Sequence, residues 1–120
     1  MTPLAVKQKL FEARDVAHDL HLNTTSFAEH SALRAFYDKW VELADSFLET
    51  YYGKYGRIKG QMTIDLSTEL KADEYLKQLM LYVCDDFYMI IDTTVDSDLD
   101  NIIAEMKGLI NHTLFLLTLQ

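Results

Sequence analysis

Cysteine occurs once in the 120 residues, at Cys84, proline once, at Pro3, and glycine only four times. A lone cysteine excludes an intrachain disulfide and fits a reducing compartment. Its setting, Leu79-Met-Leu-Tyr-Val-Cys84-Asp-Asp-Phe87, predicts a buried structural thiol. The scarcity of proline and glycine leaves long stretches free to be helical, because these two residues are the strongest helix interrupters. The chain also lacks any cluster of Lys and Arg, and its formal net charge is −8. That balance carries no electrostatic footprint for nucleic acid, so no nucleic-acid partner is expected. No apolar run approaches membrane-spanning length, and no basic start leads into an apolar stretch. We therefore expect no membrane partner and a soluble, cytoplasmic protein.

What remains is ordinary for a globular domain: 49% hydrophobic and 25% charged residues. The length suffices for one domain with its own core, here taken as 1–120. Four apolar periodicities of helical type predict helices near 4–22, 27–52, 69–93 and 98–118. Thr2 before Pro3 predicts a capped start for the first. Ser26 followed by Glu29 reads as a capping box for the second, which should close at Gly53. Asn23-Thr24-Thr25 is a short link, so the first two helices form an antiparallel hairpin. Residues 53–68 hold three of the glycines and show no helical period. So long a connection suits a crossover between helices 2 and 3. Its basic residues Lys54, Arg57 and Lys59 follow no phosphate-loop glycine pattern and read as a solvated loop. The last helix should begin near Ser97, with Asp100 completing a variant capping box. The fold class is all-α, a four-helix bundle with a crossover of the ferritin-like kind.

The stretch from His18 to Gly56 carries the chemistry. On a helical wheel, Leu33, Phe36, Trp40, Leu43, Ala44, Phe47 and Tyr51 form one apolar face of the second helix. His30, Arg34, Val41, Asp45, Leu48 and Tyr52 border it, with Glu49 a little further round. One reading is a strip of polar residues edging the core. The other is a metal site, since imidazole with carboxylates suits iron, manganese or zinc. His30 and Asp45 stand fifteen residues apart, roughly 22 Å along the helix. One chain cannot bring both to one ion. Two antiparallel copies of the helix across a two-fold axis can, with histidine from one protomer and carboxylates from the other. The Glu-x-x-His motif of di-iron bundles is absent, which argues against an intrachain di-iron centre.

These residues resemble the Dps branch of the ferritin-like superfamily, and the chain is similar to small ferritin-like proteins encoded by phages. His21-Leu22-Asn23 resembles the family's His-Trp-Asn. Phe27-x-x-His30 resembles its Phe and second His, and Tyr37 with Asp45-x-x-x-Glu49 resembles the downstream tyrosine and acid pair. His18 is the alternative first ligand: it keeps the family's spacing to His30, whereas His21 keeps the His-x-Asn match. The resemblance implies a hollow homo-oligomer, formed here through two-fold contacts of helix 2. It implies iron as the bound metal and its oxidation by peroxide or oxygen, a ferroxidase-like activity. The implied metal residues are His21, His30, Asp45 and Glu49. Where the family has an aspartate four residues after the second histidine, this chain has Arg34. The family's DNA-binding basic tail is also missing. The alternative function is a non-catalytic ferritin-like structural or interaction protein that has lost the metal site.

Overall fold

The computed structural model describes residues 2–66 and 69–119. Ser67 and Thr68 of the expected connection lie outside the described residues, as does Gln120. Helix α1 spans Pro3–Asn23, α2 Phe27–Tyr55, α3 Ala72–Leu81 and α4 Ser97–Leu116. Among the described residues there is no strand. The expected N-cap of α1 forms, with the Ala5 amide donating to Thr2 Oγ1 at 3.1 Å and Pro3 in the first turn.

The start of α2 is as expected, but only half of its capping box forms. The Glu29 amide donates to Ser26 Oγ at 3.2 Å. The Glu29 carboxylate instead accepts from the Thr24 hydroxyl, and the Ser26 amide turns to Thr24 Oγ1 at 3.1 Å. Thr24 wins because its hydroxyl, two residues before Ser26 in the link, is both donor and acceptor and so gives each group a partner. The helix runs past Gly53 and closes at Gly56, which has φ +88°. A helical glycine costs only about 1 kcal/mol, so Gly53 does not stop a helix whose Tyr51 is buried and whose Lys54 is bound elsewhere.

Helix α3 departs furthest from expectation. It begins at Ala72 rather than 69, passes into a π-helical turn at Tyr82–Asp86, and ends in a 3₁₀ turn at Phe87–Ile90. The spacing explains the π turn. Leu79, Val83 and Phe87 recur every four residues, and all are buried. Each four-residue step in an α-helix overshoots one turn by about 40°, given 3.6 residues per turn. A wider turn keeps the three on one face. The same widening leaves Cys84 exposed, correcting the expectation of a buried thiol. The chain stops being helical before 93 because Asp92 makes a local turn, accepting from the Thr94 amide at 3.0 Å and its hydroxyl at 2.7 Å.

The main helix pairings are α1 with α2, α2 with α4, α4 with α3, and α3 with α1. Their directions follow from contacts at the ends. At the C-terminal end of α2, Lys54 Nζ lies 2.8 Å from Asp96 and 2.5 Å from Asp98, at the start of α4. At its N-terminal end, Glu29 shares a cleft with Asp73 of α3 and Leu117 and Thr118 beyond α4. So α4 runs against α2, and α3 runs with it. The described part of the connection, residues 56–66, leaves α2 at its C-terminal end. It runs along α1, where Lys7 Nζ donates to Ile58 O at 3.0 Å and the Thr63 amide to Gln8 at 3.0 Å. Gly60 lets it lie close, with φ +141° and no Cβ to meet Leu4.

The core is continuous through all four helices. Trp40, Phe36, Phe47 and Phe87 are its largest fully buried members. The Trp40 indole donates to Leu10 O at 2.9 Å, pinning α2 to α1. Asp96 is almost fully buried, and it accepts from the Asp92 amide, Lys54 and the Tyr55 hydroxyl. These partners, the Asp92 amide foremost, lower its carboxyl to about 2, and Asp96 in turn helps push Lys54 up to about 12. Asp96 faces inward, so it does not cap α4. Asp100 accepts from the Tyr88 hydroxyl at 2.8 Å rather than completing a box.

Candidate functional site

The hairpin link is three residues long, so the last turn of α1 and the first of α2 face each other. It places His21 and His30, nine positions apart, in direct contact. Their rings stack with centroids 3.6 Å apart and planes 17° from parallel. Each ring bonds to the other residue's backbone: His21 Nδ1 lies 2.6 Å from His30 O, and His30 Nδ1 2.7 Å from His21 O. A carbonyl oxygen only accepts, so both Nδ1 atoms carry the proton. In the neutral ring, that leaves the Nε2 lone pair available on each. Backbone carbonyls orient metal-ligating histidines in this way, fixing tautomer and ring plane together.

Tyr37 closes the inner side. Its ring meets His21 edge-on at 5.5 Å and His18 at 4.9 Å. His18 thus reaches the cluster through Tyr37, 6.2 Å from His21. His21 is buried, with 6% of its surface exposed, while His30 is half-buried. A wide cleft of about 540 Å³ opens over His21, His30, Phe27, Arg34 and Asp38.

Arg34 stands one turn beyond His30. Its Nε lies 3.0 Å from Asp38, and that hydrogen bond raises the guanidinium pKa further. Its own helix thus draws the guanidinium to a carboxylate. Asp45 and Glu49 are both exposed on α2, well away from the histidines along the helix. Among the described residues of one chain, no three His, Cys, Asp or Glu side chains come together to hold an ion. The four expected metal residues therefore divide in two: His21 and His30 are assembled within the chain, and Asp45 with Glu49 are not brought to them.

The fit to a metal is partial. Two oriented imidazoles suit a transition metal, whereas the arginine beside them supplies only donors and positive charge. The sequence names both histidines as candidate ligands, but nothing in its periodicity predicts that their rings stack. The three-residue link after His-Leu-Asn was the available signal, because a hairpin that tight brings its flanking turns into contact.

A second feature lies on the outer face of the α1–α2 hairpin. A groove of about 310 Å³ runs between the helices, floored by Leu10, Trp40 and Ala44 and flanked by Phe11 and Val41. Arg14 and Asp15, paired at 3.0 Å, and Asp45 edge it. Among the described residues no helix is long and apolar enough to cross a membrane. No curated protein and no solved structure matches the chain. Residues 21–117 match the model of a family of unknown function, DUF5856, and the chain belongs to that family.

Proposed function

We propose that this protein is a ferritin-like homo-oligomer that binds iron between protomers, with His21 and His30 from one chain and Asp45 and Glu49 from its two-fold mate. The observation that carries the reading is the reciprocal Nδ1–carbonyl bonding of the two histidines, which orients both rings for ligation. The course of residues 56–66 along α1 and the parallel course of α2 and α3 support the ferritin-like arrangement. Bound iron would supply redox chemistry toward oxygen or peroxide. The chain's own residues hold the imidazoles in place, through the two carbonyls and Tyr37, and present carboxylates from the opposite protomer.

The test compares wild type with Glu49→Gln, an exposed change that leaves the fold intact. Iron bound per chain, measured after anaerobic loading and desalting, should fall sharply in the variant, and Fe(II) oxidation followed by absorbance should fall with it. Equal, background-level iron in both, with the oligomer well formed, sinks the reading. The second reading, a non-catalytic interaction protein, is favoured by one observation: Arg34 lines the cleft over the histidines and brings a positive charge to it.

A further inference from the structure

We propose that the cleft between α1, α3 and the connection before α3 binds a small apolar α-amino acid, its carboxylate held by Tyr75 and Lys9 and its ammonium by Glu12. The inference is independent of the iron reading, which uses none of these residues.

The observation that carries it is an unpaired hydroxyl. Tyr75, in the first turn of α3, is 6% exposed, and its hydroxyl oxygen is closed to bulk water with no partner among the described residues. Buried polar groups are almost always paired in native proteins, so a lone one needs a reason. Burial pushes the phenol pKa up, so the group keeps its proton and offers a donor. After burial, the groups that act on it are Glu12 and then Tyr82, and both line the cleft. The hydroxyl therefore lies on the cleft side of the ring.

Lys9 shares those two neighbours. Its ammonium lies 3.1 Å from Glu12 Oε1 and 4.0 Å from the centre of the Tyr82 ring. The ammonium carries three N–H donors, and Glu12 accepts one of them. The cleft thus presents two donor groups, the Tyr75 hydroxyl and Lys9, beside a carboxylate. Asp65 adds a second carboxylate, and Leu70 and Leu79 give an apolar wall. A volume of about 310 Å³ places it at the small end of ligand sites.

These groups select the ligand. Tyr75 needs an acceptor, so a plain amine leaves it unpaired and is repelled by Lys9. A plain carboxylate supplies the acceptor but meets Glu12 and Asp65 as like charges. A zwitterion satisfies both ends, with its carboxylate at the donors and its ammonium at Glu12. Leu70 and Leu79 favour an apolar side chain on it over a polar one.

The test titrates the full chain in EDTA with L-leucine, L-valine and L-phenylalanine, followed by amide NMR shifts and calorimetry. At least one should bind saturably, with shifts centred on Lys9, Glu12 and Tyr75. Two relatives of leucine check the chemistry: isoamylamine lacks the carboxylate, and isocaproate lacks the ammonium. Each should bind about tenfold more weakly than leucine, as expected for a lost charged hydrogen bond. Tyr75→Phe deletes a hydroxyl that has no partner in the empty cleft, so its Tm should equal or exceed that of wild type. The same variant should weaken amino-acid binding about tenfold. A purely structural Tyr75 predicts the reverse, lower stability with unchanged binding. Silence from all three amino acids, shifts centred elsewhere, equal binding by either relative, or undiminished binding to Tyr75→Phe would overturn the proposal.

Discussion

Replacing His21 by alanine tests whether the histidine stack is a structural joint as well as a candidate ligand pair. The change removes a buried Nδ1–H bond to His30 O, about 1 kcal/mol for a typical intramolecular hydrogen bond. It removes the ring contacts with His30 and Tyr37, about 0.5–1 kcal/mol. The ring carbons lose burial of about 40 Å², about 1 kcal/mol more. His21→Ala should therefore cost roughly 2.5–3 kcal/mol. His30 is half-buried, so His30→Ala should cost less, roughly 1.5–2 kcal/mol, through its bond to His21 O and the same stack. The stack is lost once in either variant, so the double variant should fall short of additivity by about 0.5–1 kcal/mol. A domain of this length has an unfolding entropy near 250 cal/mol/K, so each kcal/mol moves Tm by about 4 °C. Thermal unfolding by circular dichroism in EDTA then predicts a drop of roughly 10–12 °C for His21→Ala. Loss of less than 2 °C, or strict additivity in the cycle, would refute the stacked and reciprocally bonded arrangement.

Two further expectations concern the frame that holds the site. The carboxyl of Asp96 is depressed to about 2, so its contribution is present above the ordinary value of 3.8 and is lost as pH falls through about 2. Acid titration of stability should show wild type weakening more steeply across that window than Asp96→Asn, which is weaker at neutral pH but keeps the lowered carboxyls of Asp92 and Asp98; parallel curves would contradict the assignment. Trp40→Phe deletes the indole bond to Leu10 O and part of a fully buried ring, roughly 2 kcal/mol together. Urea denaturation measures it, and an unchanged midpoint would mean that this bond does not join α1 to α2.

The sequence by itself determined most of the frame. Every residue the apolar repeat of α2 assigned to the buried face, from Leu33 to Tyr51, is buried, because a continuous 3.6-residue period on a long helix admits only one buried side; Tyr37 and Leu48, at the edges of that face, are buried as well. Thr2-Pro3 and Ser26 marked two helix starts, since short polar side chains satisfy free amides locally. The glycine-rich length after Tyr52 marked a long connection between α2 and α3. Tertiary structure decided the rest. Glu29 took Thr24 instead of the Ser26 amide, and Asp96 turned inward to Lys54, because a side chain with several partners within reach chooses by the surrounding packing. The four-residue rhythm from Leu79 to Phe87 became a π turn only under the demand to face one core. The stacking of His21 on His30 likewise depended on the path of the link between them. Spacing along the chain shows which residues can share a helix face; two turns on different helices meet only where the fold sets their separation and orientation.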